Sequence, residues 1–164
     1  MIGAVSDVRA KRIPNWLTYG GLAAGMALRA WLEGWRGLGQ GVLGVLVGGG
    51  VFFLLYLVGG MGAGDVKLIA AVGAWVGVHN ILLTLVTTAM AGAGLAVLYM
   101  VSCRRVGSTI QNMGALLHFH LTSGIRPHPE LNLRDPSTIR IPYGLAIAAG
   151  TLFLFLSTAT FWWG

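Results

Sequence analysis

Apolar residues gather in five runs, roughly Trp16–Leu32, Leu38–Val58, Val66–Val78, Ile81–Val101 and Ile141–Trp163. A membrane-crossing helix needs about 20 apolar residues, with about 17 the lower limit. The second, fourth and fifth runs meet that length. The first is near the limit and holds Arg29, whose long side chain can snorkel to an interface. The third is the shortest, and is expected to be tilted, re-entrant or extended through flanking residues. The pattern predicts an all-α fold, a polytopic transmembrane helical bundle of about five spans, as one domain over residues 1–164. One long polar stretch, Ser102–Arg140, interrupts it with three prolines, three of the four histidines and five arginines. Within this predicted cytoplasmic loop, Gln111–Leu121 has helical amphipathicity and is expected to lie on the membrane surface.

Composition supports lipid as the solvent. Charged residues are 10% of the chain and hydrophobic residues 55%, whereas a soluble domain carries about 25% charged residues. The 26 glycines suit close helix contact in a bilayer. The net charge of +6 does not point to nucleic acid, because the basic residues form short clusters beside apolar runs. If all five runs cross, Arg9, Lys11, Arg12, Lys67, Arg104, Arg105, Arg126, Arg134 and Arg140 share one side, and Arg29 and Arg36 the other. That asymmetry makes the first side cytoplasmic. Met1–Asp7 is too short to hold the apolar region of a signal peptide. The single cysteine, Cys103, excludes an intrachain disulfide and a four-cysteine zinc site.

The acidic residues are Asp7, Glu33, Asp65, Glu130 and Asp135. Asp7 and Asp65 differ from the rest because each abuts an apolar run at the predicted cytoplasmic end. An acid there costs free energy unless it is paired or lines a wet cavity. The ordinary reading is an interfacial ion pair, Asp7 with Arg9 or Lys11 and Asp65 with Lys67. The surroundings favour a more specific one. Gly59-Gly60-Met61-Gly62-Ala63-Gly64 precedes Asp65, and such a run turns tightly rather than sustaining a helix. Ile13-Pro14-Asn15 marks a helix start, so residues 7–12 form a short basic loop. Two carboxylates about 3 Å apart share a proton, because both cannot easily ionise. The ionised member can activate water while the protonated member polarises a carbonyl. That is peptide hydrolysis without a metal or other cofactor.

Ser6-Asp7-Val8-Arg9-Ala10-Lys11-Arg12-Ile13-Pro14-Asn15 resembles the first signature of the type IV prepilin peptidases. Gly62-Ala63-Gly64-Asp65-Val66-Lys67 resembles their second, G-x-G-D-x-K. Ile141-Pro142-Tyr143-Gly144 resembles their C-terminal element. The resemblance runs from Asp7 to Gly150. It implies an intramembrane aspartic peptidase that removes a basic leader from prepilins or pseudopilins at the cytoplasmic face of the prokaryotic inner membrane. Asp7 and Asp65 would be the catalytic pair. Gly62 and Gly64 would shape the Asp65 turn, and Lys67 would support the site or meet lipid headgroups. Pro14 and Asn15 belong to the first signature, and Pro142, Tyr143 and Gly144 would pack near the site. The paired C-x-x-C domain that longer members use for N-methylation has no counterpart here, so the chain resembles the short branch serving Flp-type tight-adherence pili. Six spans are usual in the family, one of them before the first Asp. Only six residues precede Asp7, which implies a start placed too late or a shortened chain, and otherwise a site lacking one wall.

Other patterns receive plainer readings. His118, His120 and His128 fit no familiar zinc spacing, so no metal is expected. Trp16, Trp31, Trp35, Trp75, Trp162 and Trp163 read as interface anchors. Gly44, Gly48, Gly49 and Gly50 read as a helix-packing face. Ser102, Ser108, Ser123 and Ser137 have no recognisable base partner for nucleophilic catalysis. A non-enzymatic membrane assembly factor or small transporter is the alternative, since an acid in a glycine-broken helix also builds transport sites. A presenilin-like protease is less consistent, because Asp7 follows Ser6 in a basic loop. The pattern leaves the oligomeric state open.

Overall fold

The computed structural model describes residues 14–103, 106–124 and 143–163. Its helices are α1 (Asn15–Leu57), α2 (Ala63–Ser102), α3 (Val106–Ser123) and α4 (Tyr143–Trp163). The helix start expected at Pro14-Asn15 is found. Pro14 is extended at φ −62° and ψ 135°, and its carbonyl accepts from the amides of Leu17 and Thr18 at 3.2 and 3.4 Å. Pro supplies that φ without loss of chain entropy.

Two glycines organise the bundle. Gly34 (φ 60°, ψ −143°) breaks α1 and Gly77 (φ 74°, ψ 176°) breaks α2. Positive φ is the region that glycine enters without steric cost. At Gly34 the chain doubles back, because a Cβ at Gly41 would stand 2.8 Å from Met26 Sδ and 3.4 Å from Arg29 Cδ. In a straight helix positions 26 and 41 would lie about 22 Å apart. At Gly77 it doubles back again, since Tyr143 lies both against Gly92 and within electrostatic reach of Asp65. The first four apolar runs therefore correspond to limbs 15–33, 35–57, 63–76 and 78–102 of two broken helices. The short third run gains length by starting at Ala63. Taken whole, α1 and α2 are each long and apolar enough to cross a membrane, and the protein is a polytopic all-α bundle.

Small residues make the interhelical contacts. Gly37, Gly41, Gly44 and Gly48 are buried along one stripe of α1. At the closest crossing the backbones of Gly44 and Gly73 touch, so a Cβ on either would strike the other's carbonyl group. Gly48 faces Ile81 and Ile69, and Gly49 faces Ala70. Gly50 departs from the predicted packing face. It lies two residues past Gly48, about 200° around the helix from it, and a Cβ there would meet nothing within 4 Å. The second limb of α2 meets α4, where Thr87 Oγ1 donates to the Gly150 carbonyl at 3.2 Å.

A compact core of Phe52, Met61, Ile69, Ile81 and Ile147 fills the centre. Bulky residues such as Leu46 and Phe155 face outward, 62% and 69% exposed. Glycine inside and leucine outside is the pattern expected in lipid. There, association depends on close van der Waals packing rather than on escape from water.

Three expectations gain detail. Within Ser102–Arg140, α3 contains the amphipathic Gln111–Leu121 stretch and extends it at both ends. Arg29 does not merely snorkel. Its Nε donates to the Trp75 carbonyl at 3.0 Å, and its Nη1 pairs with Glu33 at 3.3 Å. The break at Gly77 leaves the last carbonyls of limb 63–76 without helical donors, and the guanidinium supplies one. Trp75 is more than an anchor, since its Nε1 donates to the Gly21 carbonyl at 2.7 Å and its ring covers Gly25.

Candidate active site

The site is built at the end of the bundle opposite Gly34 and Gly77. α1 ends at Leu57, and Gly59 (φ 80°) reverses the chain. Met61 is buried in the core, pinning the turn. Gly62 is the extended N-cap of α2, and Asp65 is the third residue of its first turn. Gly64 is therefore already helical rather than part of the turn.

Asp65 is half-buried. Its Oδ2 accepts from the Gly62 amide at 3.3 Å. This is the acid's half of a capping box; Gly62 has no side chain to return the bond. The amides of a helix N-terminus favour negative charge at that position, so the fold delivers a carboxylate and holds it. A Cβ at Gly62 would stand 3.1 Å from that oxygen. Glycine here leaves the carboxylate room.

Lys67 turns toward α1. Its Nζ donates to Asn15 Oδ1 at 3.0 Å and lies 5.2 Å from the centre of the Tyr19 ring, within cation–π range. The second signature is thereby joined to the end of the first, at the residue after Pro14. Thr18 Oγ1, buried beside them, donates to the Asn15 carbonyl at 3.0 Å and stiffens the turn that carries Asn15. From the third element, Tyr143 opens α4 near Asp65, and its hydroxyl would be 3.1 Å from a Cβ at Gly92. Gly144 follows it, buried.

Of the residues singled out from sequence, Pro14, Asn15, Gly62, Gly64, Asp65, Lys67, Tyr143 and Gly144 gather at this end. Asp7 and Pro142 lie outside the described residues, as do His128 and the side chain of His120. Two neighbours were not anticipated. Tyr19 is four residues after Asn15, one helical turn along the same face, and that spacing could have identified it. Gly92 has no such signal, because only the fold tells which small residue an aromatic side chain will meet. Among the described residues there is no group of three or more metal-ligating side chains.

Comparison with known proteins gives the family. The chain is 34% identical over 114 residues to the "Prepilin leader peptidase/N-methyltransferase" of Escherichia coli (strain K12), an alignment covering 65% of this chain and 50% of that protein. It thus spans about half the length of the curated relative it matches. No solved structure matches it. Residues 1–97, more than half of the chain and including both aspartate signatures, match the profile of the type IV leader peptidases. With Asp65 capping α2 and Lys67 tied to the first signature, the chain belongs to the type IV leader peptidase family.

Proposed function

We propose that this protein is an intramembrane aspartic endopeptidase that removes the basic leader from type IV, Flp-like prepilins or pseudopilins. The four limbs and α4 each cross the prokaryotic inner membrane, giving five spans within one domain. The end carrying Asn15, Asp65, Lys67 and Tyr143 faces the cytoplasm. In sequence, Arg9, Lys11 and Arg12 come shortly before α1 and Lys67 lies in the first turns of α2, and cytoplasmic loops are rich in Lys and Arg.

In this reading Asp7 and Asp65 share one proton. The ionised carboxylate takes a proton from water, and the resulting hydroxide adds to the scissile carbonyl. The protonated carboxyl donates to the carbonyl oxygen. Collapse of the tetrahedral diol transfers a proton to the leaving amine and returns the pair to its starting state. In this reading the leader is released without N-methylation of the new amino terminus.

The observation that carries this reading is the Lys67–Asn15 hydrogen bond of 3.0 Å. Asn15 is eight residues beyond Asp7, and eight residues reach at most about 28 Å. The bond brings the chain that bears the first acid to the helix that bears the second.

Co-expression with an Flp-like prepilin tests the reading. Wild type should shorten the pilin by its leader, leaving an unmethylated amino terminus by mass. Asp7→Asn and Asp65→Asn should each abolish that shortening. Leader removal that persists in either variant would remove the dyad.

A further inference from the structure

Helix α3 begins four residues after α2 ends at Ser102, a distance of at most about 14 Å. The limb that precedes it is apolar to Val101. The first turn of α3 is therefore tethered close to the level at which a spanning helix leaves the hydrocarbon. α3 also lies beyond residues 1–97, the stretch matched by the family.

Its surface is two-sided. Met113, Leu117 and Leu121 recur every fourth residue and are 67%, 65% and 77% exposed. Residues four apart share one helix face. Gln111, His118 and Thr122 fall on another face and are also exposed. Three large apolar side chains in a row, uncovered by the described bundle, need a cover.

Charge identifies it. Between Asp65 and Glu130 the chain has no acidic residue. Arg104 and Arg105 precede α3 in sequence and Arg126 follows it. An amphipathic helix with an apolar stripe and flanking arginines has the chemistry of an anionic bilayer surface, where each basic residue near the headgroups adds to the attraction.

We propose that α3 docks on an anionic lipid leaflet, with Met113, Leu117 and Leu121 inserted at the headgroup–acyl boundary and Gln111 and Thr122 in water. The lipid thus holds down the cytoplasmic segment of the protein next to the end that carries Asp65. The docking itself does not depend on peptidase activity.

Depth-dependent fluorescence quenching tests this on the full chain. Cys103, which is exposed, is replaced by Ser, and single cysteines are introduced as Leu117→Cys or Gln111→Cys. Each is labelled with a nitrobenzoxadiazole fluorophore and reconstituted into phosphatidylcholine vesicles with or without phosphatidylglycerol. A spin-labelled lipid serves as quencher and iodide as the aqueous one. The Leu117 probe should be quenched by lipid several-fold more than the Gln111 probe, with the difference growing when phosphatidylglycerol is present. Leu121→Cys and Thr122→Cys provide a second pair should either first variant fail to fold.

Equal lipid quenching on both faces would overturn the proposal. So would a Leu117 probe shielded from both quenchers, since that means a protein cover. A difference unchanged by phosphatidylglycerol would remove anionic lipid as the partner. The same measurements in an Asp65→Asn background read docking alone, so they succeed or fail separately from leader removal.

Discussion

Lys67 Nζ donates to Asn15 Oδ1 at 3.0 Å, although 52 positions separate the two residues. Tyr19, one turn beyond Asn15, presents its ring to the same ammonium. Two neighbours on α1 therefore fix a cation that stands two residues from Asp65, and they link the start of α1 to the start of α2.

That linkage predicts a coupled loss. A hydrogen bond to a charged group contributes about 1.5–3 kcal/mol, and about 1.4 kcal/mol is a tenfold change in rate. Lys67→Met should lower leader removal by about tenfold or more while the protein remains folded. Asn15→Ala should lower it less, because the Tyr19 contact persists. The double variant should be no worse than Lys67→Met alone, since both changes break one interaction. Additive losses in the cleavage assay would separate the two residues.

The Asp65 carboxylate depends on the absence of a side chain at Gly62. At φ −83° and ψ 147° Gly62 occupies backbone space open to any residue, so Gly62→Ala should not strain the turn. Its Cβ would instead press on Asp65 Oδ2 from 3.1 Å and lengthen the bond to the Gly62 amide. Thermal stability should change by less than about 1 kcal/mol, while leader removal falls about tenfold. Gly59→Ala should do the reverse. At φ 80° an L-residue costs about 1–2 kcal/mol, so it should lower the melting temperature whatever it does to activity.

Much of this architecture was legible in the sequence, for a physical reason. Apolar runs such as Leu38–Val58 and Ile81–Val101 report solvent preference residue by residue, and Pro14 fixes φ locally. The glycine run before Asp65 likewise announces a turn without any tertiary information. Partner choice was not legible. Nothing near Arg29 says that its donor will meet Trp75, 46 positions away, and Gly44 and Gly50 look alike until the helix face that meets Gly73 is known. Asp7 lies outside the described residues, so its relation to Asp65 is a matter for the cleavage variants.

The Gly44–Gly73 crossing should be the bundle's most sensitive point to added volume. A Cβ on either residue meets backbone of the other helix, and backbone cannot rotate away as a side chain can. Overpacking of this kind costs about 1–3 kcal/mol. Gly44→Ala and Gly73→Ala should therefore each lower the melting temperature in detergent. Gly50→Ala and Gly39→Ala, where a Cβ meets nothing within 4 Å, should be neutral or stabilising by up to about 1 kcal/mol through helix propensity. Equal effects at buried and open glycines would show that the crossing is not a close contact.

At the opposite end, Arg29 joins α1 to the break in α2. Its Nε caps the Trp75 carbonyl, and its guanidinium occupies the space that a Cβ at Gly77 would need, with Nη2 2.8 Å from that position. Arg29→Ala leaves a carbonyl next to the break without its donor, a loss of about 1–3 kcal/mol. Arg29→Lys keeps the charge but not the planar donor set, so it should recover only part of that stability. Gly77→Ala should be at least as damaging as Arg29→Ala, because it combines positive φ with displacement of the guanidinium. Glu33→Gln should change little, since Glu33 is 51% exposed and exposed ion pairs contribute about 0–1 kcal/mol. Melting temperatures in detergent check the order. An Arg29→Ala protein as stable as wild type would mean that neither contact holds the two hairpins together, and a Glu33→Gln protein as weakened as Arg29→Ala would assign that role to the ion pair rather than to the cap on Trp75.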